Sequence, residues 1–413
     1  MRRFLLITVL LITVTRLDAQ EPADALRYSW YVPGGSARIQ AVGGAMGSLG
    51  GDITSTFVNP AGLGFYRTGD FIFTPSYRLG NTKSTYFDRT EKEKNKRFVL
   101  GTSGFVLGGG DGTGSVRNAS ISIAYNRTAD FNSKILYRGQ NNQSSYSQKF
   151  LEEIRRNNDR DANVVSSSLD FNDPRFRPNY IFGTSLAFNT YWIDTVGGST
   201  NGNFEFQSRS ANLLSSGLLQ QYSMTTSGGI DEGALGLAVN VRDKLMIGGT
   251  IGVPYLHFKR ESEFLEADAT SNTNNQFNFA SVGETMQTRG VGINLKAGLI
   301  YKPKEYWRLG LAIHSPTVFS LTDDYESSIT ADTEDPSGGT LSDYSVDYTD
   351  GVPAQFKYTY VTPYRVIGSV SYVLRETQDV TKQRGFLTAD VEYVNYKASS
   401  YSADEENSDD PST

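Results

Sequence analysis

Among the 413 residues the commonest nucleophile and transition-metal ligands, Cys and His, are nearly absent, and the spacing of the remaining carboxylates and glycines narrows the chemistry further. There is no Cys, which removes thiol nucleophiles, disulfides and thiolate metal sites, and only two His, His257 and His314. The run Gly108-Gly109-Gly110-Asp111-Gly112-Thr113-Gly114 has the glycines of a phosphate cradle. It lacks the Lys-Ser/Thr of a P-loop and lies between two strand patterns, so it reads as a turn. Asp390 and Glu392 share one face of a strand pattern and could be drawn as an acid–base pair. With Lys296, Arg308, Arg365 and His314 they are better read as a charged interior lining. Asp332, Glu334, Asp335, Asp343, Asp347 and Asp350 offer oxygen ligands for Ca²⁺ without EF-hand spacing, and read as a solvated loop. The expectation is a protein with no catalytic residues, no metal site and no cofactor.

The most distinctive stretch is mechanical. Ser36 to Leu63 is rich in Gly and small residues and ends in the corner Asn59-Pro60-Ala61. Pro60 fixes φ and has no N–H, Asn59 can close a turn on its own backbone, and Ala61 with Gly62 lets another surface come close. Residues 20–68 are therefore expected to form a compact plug.

The elements that would hold such a plug follow from the rest of the chain. Arg2 and Arg3, the apolar run Phe4 to Val14, and Leu17-Asp18-Ala19 predict a secretory signal peptide over residues 1–19. No later apolar run approaches the roughly 20 residues of a membrane-spanning helix, so an exported, membrane-embedded chain would have to be a barrel. Hydrophobic content of 38% with 41 Gly, 24 Tyr and 23 Phe agrees with strands that are greasy on one face only. The net charge of −6 argues against a nucleic-acid partner.

From residue 69 the hydrophobic period is two. Val291, Ile293, Leu295, Leu299 and Tyr301 alternate with Gly292, Asn294, Lys296 and Gly298; after a turn at Lys302–Glu305, Leu309, Leu311 and Ile313 alternate with Arg308, Gly310 and His314. The apolar set is expected to face lipid. Asn294, Lys296, Arg308, His314, Asp390 and Glu392 are expected to face the lumen. Nine strands are predicted near 69–79, 97–107, 116–138, 227–241, 245–262, 286–301, 307–326, 354–374 and 386–401. Short turns alternate with long polar connections at 80–97, 141–225, 264–285 and 329–351, the asymmetry of outer-membrane barrels. The whole is an all-β, antiparallel transmembrane β-barrel over 69–413, with a partly helical extracellular insertion at 141–225. In that insertion QKFLEEIRR (148–156) has helical spacing, and Tyr180 to Ile193 has helix or loop-cap potential.

The hatch residues Gly43, Gly44, Ala45 and Asn59-Pro60-Ala61-Gly62-Leu63 resemble the N-terminal hatch of the FadL/TodX-type outer-membrane transporters of fatty acids and hydrocarbons. Ser315-Pro316-Thr317, Thr362-Pro363-Tyr364-Arg365 and the strand Leu387 to Tyr396 look like that family more loosely. The resemblance implies a barrel of about fourteen strands with the hatch in its lumen, so that with nine strands the chain reads as a fragment or truncated product. It also implies passive uptake of hydrophobic molecules such as long-chain fatty acids or aromatic hydrocarbons: outer capture, an inner pocket blocked by the hatch, and exit through the wall. Phe182, Leu186, Phe188, Tyr191 and Trp192 are expected to form the outer landing site. The expected partners are a hydrophobic small molecule and outer-membrane lipid, around a monomer in the cell outer membrane. An alternative is a barrel-type docking or shuttle component of a secretion system.

Overall fold

The computed structural model describes residues 22–31, 34–158, 160–168, 183–200, 203–270, 272–334, 338–374 and 385–403. The expected leader (1–19), Phe182, residues 375–384 and the acidic segment from 404 lie outside the described residues. The N-terminal segment carries helices α1 (Pro22–Ser29), α2 (Ala37–Ala41) and α3 (Ser55–Val58), then a 3-10 turn over Pro60–Phe65. Strands β1 (Asp70–Ile72), β2 (Pro75–Tyr86), β3 (Arg89–Leu100), β4 (Ser103–Gly109), β5 (Val116–Asp130) and β6 (Ser133–Asn141) follow. An insertion holds helices α4 (Gln148–Asn157), α5 (Ala162–Ser166) and α6 (Thr184–Asn189) and the hairpin β7 (Ile193–Thr200) and β8 (Asn203–Ser208). Then come the long strands β9 (Leu218–Val241), β10 (Leu245–Asp268) and β11 (Phe279–Lys304). The chain continues with β12 (Trp307–His314), β13 (Val318–Asp332), β14 (Thr340–Tyr344), β15 (Ala354–Val361), β16 (Arg365–Leu374), β17 (Gly385–Val394) and β18 (Ser400–Ala403).

The pairings are antiparallel, and the main sheet runs β1-β4-β5-β9-β10-β11-β12-β16-β17. β6, β13, β15 and β18 continue it beyond a line where the outer strands break, while β9, β10 and β11 cross that line unbroken. Two of the breaks fall at Pro316 and Pro363, which have no N–H to give to a ladder. Hydroxyls patch the gap: Thr317 N–H donates to Thr362 Oγ1 at 2.8 Å and Leu295 N–H to Ser315 Oγ at 2.9 Å. Among the described residues β1 and β17 are the two edges of the path and do not pair with each other.

Each strand of the main sheet has two unlike faces. On β11, Val291, Ile293, Leu295 and Leu299 are exposed, while Asn294, Lys296 and Ile300 between them are buried. On β5, Ile121 and Ile123 are exposed, while Asn118, Ser120, Ser122 and Asn126 are buried. The buried positions meet the N-terminal segment from one end of the sheet to the other. Thr56 Oγ1 lies 2.9 Å from Ser122 Oγ on β5, and Asp390 on β17 accepts from the N–H groups of Met46 (2.9 Å) and Gly47 (2.8 Å). A single face can touch one short segment at both ends only if the sheet curls around it.

Several connections differ from the sequence expectation because the strands are longer. The stretch 80–97, expected as a polar loop, is a hydrogen-bonded hairpin from Pro75 paired with Leu100 to Tyr86 paired with Arg89. Its charges hid it: with both faces wet, no apolar row marks the period. Likewise β9 begins at Leu218, β10 ends at Asp268, β11 begins at Phe279 and β13 reaches Asp332, so their polar extensions belong to the sheet. Helix α4 forms where helical spacing predicts it; from 183 to 193 only Thr184–Asn189 is helical, and Ile193 starts β7.

Seating the N-terminal segment depends on glycine. A Cβ on Gly298 would lie 1.9 Å from Asn59 Oδ1, one on Gly248 2.4 Å from the Pro60 carbonyl, and one on Gly310 2.1 Å from the Gly47 carbonyl. Gly298→Val is therefore expected to lower stability by about 1–3 kcal/mol or more and to open residues 34–66 to limited proteolysis. Gly368→Val, where a Cβ meets nothing within 4 Å, serves as control and is expected to stay within about 0.5 kcal/mol. Equal urea midpoints and equal cleavage for the two variants would mean that the corner does not bear on β11.

Candidate functional site

The site is the interior bounded by the N-terminal segment and the inner face of the sheet. Its corner is built by local hydrogen bonds: Asn59 Oδ1 accepts from Ala61 N–H at 3.1 Å and starts the 3-10 turn, for which Pro60 has a suitable φ. The Asn59 amide then donates to the Gly47 carbonyl at 2.5 Å and to the Leu299 carbonyl on the wall at 3.4 Å. Pro60 and Ala61 are buried. Gly43 and Gly44 act differently: with φ of 72° and 82° they end α2, and Gly44 N–H donates to the Ile39 carbonyl at 2.9 Å.

Wall side chains hold the segment through its backbone. Arg308 donates to the Leu49 carbonyl and its guanidinium lies 4.5 Å from the centre of the Phe65 ring; His314 Nε2 donates to the Val58 carbonyl at 2.8 Å. Asn118 donates to the Gly64 and Tyr66 carbonyls, and Ser120 to the Leu63 carbonyl, at 2.7–2.9 Å. Ser48 Oγ lies 2.6 Å from Ser369 Oγ and 2.5 Å from Ser371 Oγ. Backbone groups of a loop buried in a sheet interior need partners, and these polar wall residues supply them.

One level further in, Lys296 Nζ pairs with Glu232 and donates to Asn294 Oδ1 at 2.6 Å; both charged side chains are almost fully buried. Arg365 donates to the Ser29 carbonyl at 2.8 Å, reaches Glu392 at 3.3 Å and stacks over Tyr31. Asn294, Lys296, Arg308, His314, Asp390 and Glu392 all occupy the inner parity of their strands, with Glu392 left exposed on the edge strand β17. A cavity of about 80 Å³ lies among Tyr31, Phe57, Glu232, Lys296, His314 and Arg365. It has room for a few waters and is smaller than the roughly 150 Å³ void that accepts benzene. A larger solute would have to displace α1 or the segment around Asn59 and Pro60.

The other end of the interior is covered by the insertion. Phe150, Leu151, Ile154, Leu186, Trp192 and Ile193 pack against Ala280 and Val282 of β11 and Ile329 and Ala331 of β13. Glu266 on β10, fully buried, accepts from Ser145 Oγ (2.5 Å), Tyr146 N–H (3.0 Å) and Gln220 Nε2 (2.6 Å), fixing the start of the cap. Burial holds the Lys149 ammonium below the usual lysine range, against the pull of Glu284 and Glu153, and Lys149 sits 3.9 Å over the Tyr146 ring. These placements correct the picture of an exposed aromatic landing patch. Leu186 and Trp192 are fully buried, Phe188 is half-buried against Phe206, and Tyr191 is exposed. Trp192 donates through Nε1 to Ser210 Oγ at 2.8 Å, so Leu186 and Trp192, expected on a binding surface, form part of the cap's own core. Sequence reasoning missed Gly47, Ser48, Glu232, Gly248, Ser369 and Ser371; the signal available was small residues recurring on the polar row of neighbouring strand patterns.

No protein-family model and no curated protein matches the chain. Among solved structures it is similar to one described as a CymD monoaromatic hydrocarbon channel, at 10% identity and a TM-score of 0.30, over 90% of this chain and 95% of that one. So loose a superposition carries no argument; the pairing and burial described above do.

Two substitutions test the interior. Lys296→Met strands Glu232 and is expected to cost about 3–5 kcal/mol, most of it recovered in Lys296→Met with Glu232→Gln, as measured by urea unfolding; equal stability of single and double variants would mean the pair is not isolated from water. Trp192→Ser is expected to cost about 3–5 kcal/mol and loosen the cap in hydrogen exchange, while Tyr191→Ser stays within about 0.5 kcal/mol. Equal small effects would return Trp192 to the surface.

Proposed function

We propose that the chain is an outer-membrane channel for passive uptake of hydrophobic molecules, with residues 34–66 as its hatch. The observation that carries this reading is the inverted sheet: apolar side chains exposed outside, polar side chains buried against a plug inside. On β11 the exposed apolar row runs from Tyr301 to Val291 and gives way to Arg289, which pairs with Asp324. That length is about 34 Å at about 3.4 Å per residue. It projects to about 26 Å at a tilt of about 40°, close to the apolar band of outer-membrane barrels. Soluble proteins rarely leave so large an apolar area uncovered.

The interior supports transport over docking. The hatch is held by hydrogen bonds to its backbone and by apolar contacts, such as Ile53, Phe57 and Leu63 against Val106, Ala124, Ala234 and Ala238, so it fills the interior and must shift or be bypassed for a solute to pass. The line of strand breaks at Pro316 and Pro363 lies beside the inner cavity, where hydroxyl patches replace ladder bonds, and a wall weakened there offers a solute a route sideways into the bilayer. Long-chain fatty acids or aromatic hydrocarbons are the substrates proposed, and the outer membrane the location.

Because the chain contains no Cys, the hatch can be locked cleanly. Ser48→Cys with Ser371→Cys replaces two hydroxyls 2.5 Å apart and should form a disulfide between hatch and β16. Oxidised proteoliposomes are expected to lose most uptake of labelled fatty acid or alkylbenzene, and reductant to restore it. No uptake by the unmodified chain under any condition would refute the channel; uptake unchanged by oxidation would leave a channel whose path does not need the hatch to move.

A further inference from the structure

We infer that the outward face of the β2–β3 hairpin docks onto the phosphate-bearing headgroups of the outer-leaflet lipid. The inference rests on the membrane reading given under Proposed function. On this hairpin one face carries Tyr77, Leu79, Asn81 and Lys83 from β2 and Lys92, Lys94, Lys96 and Phe98 from β3, all exposed. The acids of its strands, Glu91 and Glu93, point to the other face, and Asp88 sits in the turn. Lys83 stands directly opposite Lys92 in the ladder, and like charges so placed destabilise a sheet.

The hairpin contains its own comparison. Arg78 and Arg97 also stand directly opposite each other, on the inward face, and there Asp130 lies between them, 3.0 Å from Arg78 Nη1 and 2.9 Å from Arg97 Nε. The outward lysines have no such acid: none of Lys83, Lys92, Lys94 and Lys96 makes an ion pair among the described residues. The inward pair has its counter-charge within the protein; the outward set is left for an anion from outside.

Position selects the anion. Tyr77 pairs with Phe98, the two being 64% and 65% exposed, and the apolar residues Phe71, Phe105 and Leu107 lie further down the same staves. Going up the hairpin from this aromatic pair, the outward positions become Leu79 and Lys96, then Asn81 and Lys94, then Lys83 and Lys92. Aromatic side chains favour the boundary between hydrocarbon and headgroup, so the lysines begin at headgroup level with Lys96, about 7 Å up the strand, and continue outward with Lys94 and then Lys83 and Lys92. Successive lysines on β3 are about 7 Å apart, a spacing that extends their charge along the strand from the headgroup level outward instead of focusing it on one ion. In a chain of net charge −6, a patch of one sign at this height is complementary to an anionic lipid surface.

The test uses the full chain, folded in neutral detergent micelles and titrated with lipid A, phosphatidylcholine or inorganic phosphate. The unmodified protein is expected to bind lipid A in a salt-sensitive way, with phosphatidylcholine and inorganic phosphate much weaker. Each lysine near an anionic surface contributes about fivefold, so the variant Lys83→Gln, Lys92→Gln, Lys94→Gln, Lys96→Gln should bind lipid A at least tenfold more weakly. Lys244→Gln with Lys304→Gln, at the short-turn end, should change nothing. Equal lipid A affinity in the fourfold variant, an equal loss in the control, or equal binding of inorganic phosphate overturns the inference. Insertion into phosphatidylcholine vesicles separates the two claims. If the unmodified chain fails to insert, the membrane reading falls and the inference with it; if it inserts and the lipid A arm fails, only the headgroup inference falls.

Discussion

The contact on which this structure turns is the approach of the Asn59-Pro60 corner to the backbone of β10, β11 and β12. Three neighbouring strands present Gly248, Gly298 and Gly310 where the N-terminal segment touches them, and a methyl group at any of them would overlap it. Close approach brings Asn59 within reach of the Leu299 carbonyl, Arg308 within reach of the Leu49 carbonyl, and Ser48 within reach of Ser369 and Ser371. Without it, wall groups such as Asn118, Ser120 and Arg308 would lose the backbone carbonyls they donate to.

The same contact explains why the sheet can carry its polarity reversed. In an ordinary two-layer protein the apolar face of a sheet is the buried one. Here the buried face includes Asn118, Ser120, Ser122, Asn240, Asn294 and Lys296, and the segment it covers has backbone carbonyls and amides to be satisfied. Polar wall and irregular backbone suit each other, because each meets the other's hydrogen-bonding demand. The apolar row is thereby left to whatever surrounds the protein.

Toward the other end the logic reverts to that of a soluble domain. Above the line of strand breaks, inward positions become apolar, as Ala280, Val282, Ile329 and Ala331 show, and they receive Phe150, Leu186 and Trp192 from the insertion. The outward positions there carry Lys259, Glu261, Glu263, Arg289 and Asp324, which water can reach. One sheet thus has two regions of opposite polarity, joined by the unbroken strands β9, β10 and β11.

How much of this was legible before folding depended on whether a residue's surroundings lie along its own strand. The alternation in 291–301 and 307–313 marks two faces by itself, because side chains on a strand point alternately whatever they meet, and from it the antiparallel all-β class and nine traverses of the sheet could be read. The stretch 80–97 gave no such signal, since a strand wet on both faces has no apolar row. The Asn59-Pro60-Ala61 corner announced stiffness in its residue types, but not that Gly298, some 240 residues later, makes room for it. Trp192 and Leu186 were legible as apolar and not as buried, for exposure depends on β11 and β13 arriving from elsewhere in the chain. Residue order alone determined periodicity, turn chemistry and the direction each side chain points; which faces meet, and so which groups are dry, paired or left facing outward, was decided only when distant segments closed on one another.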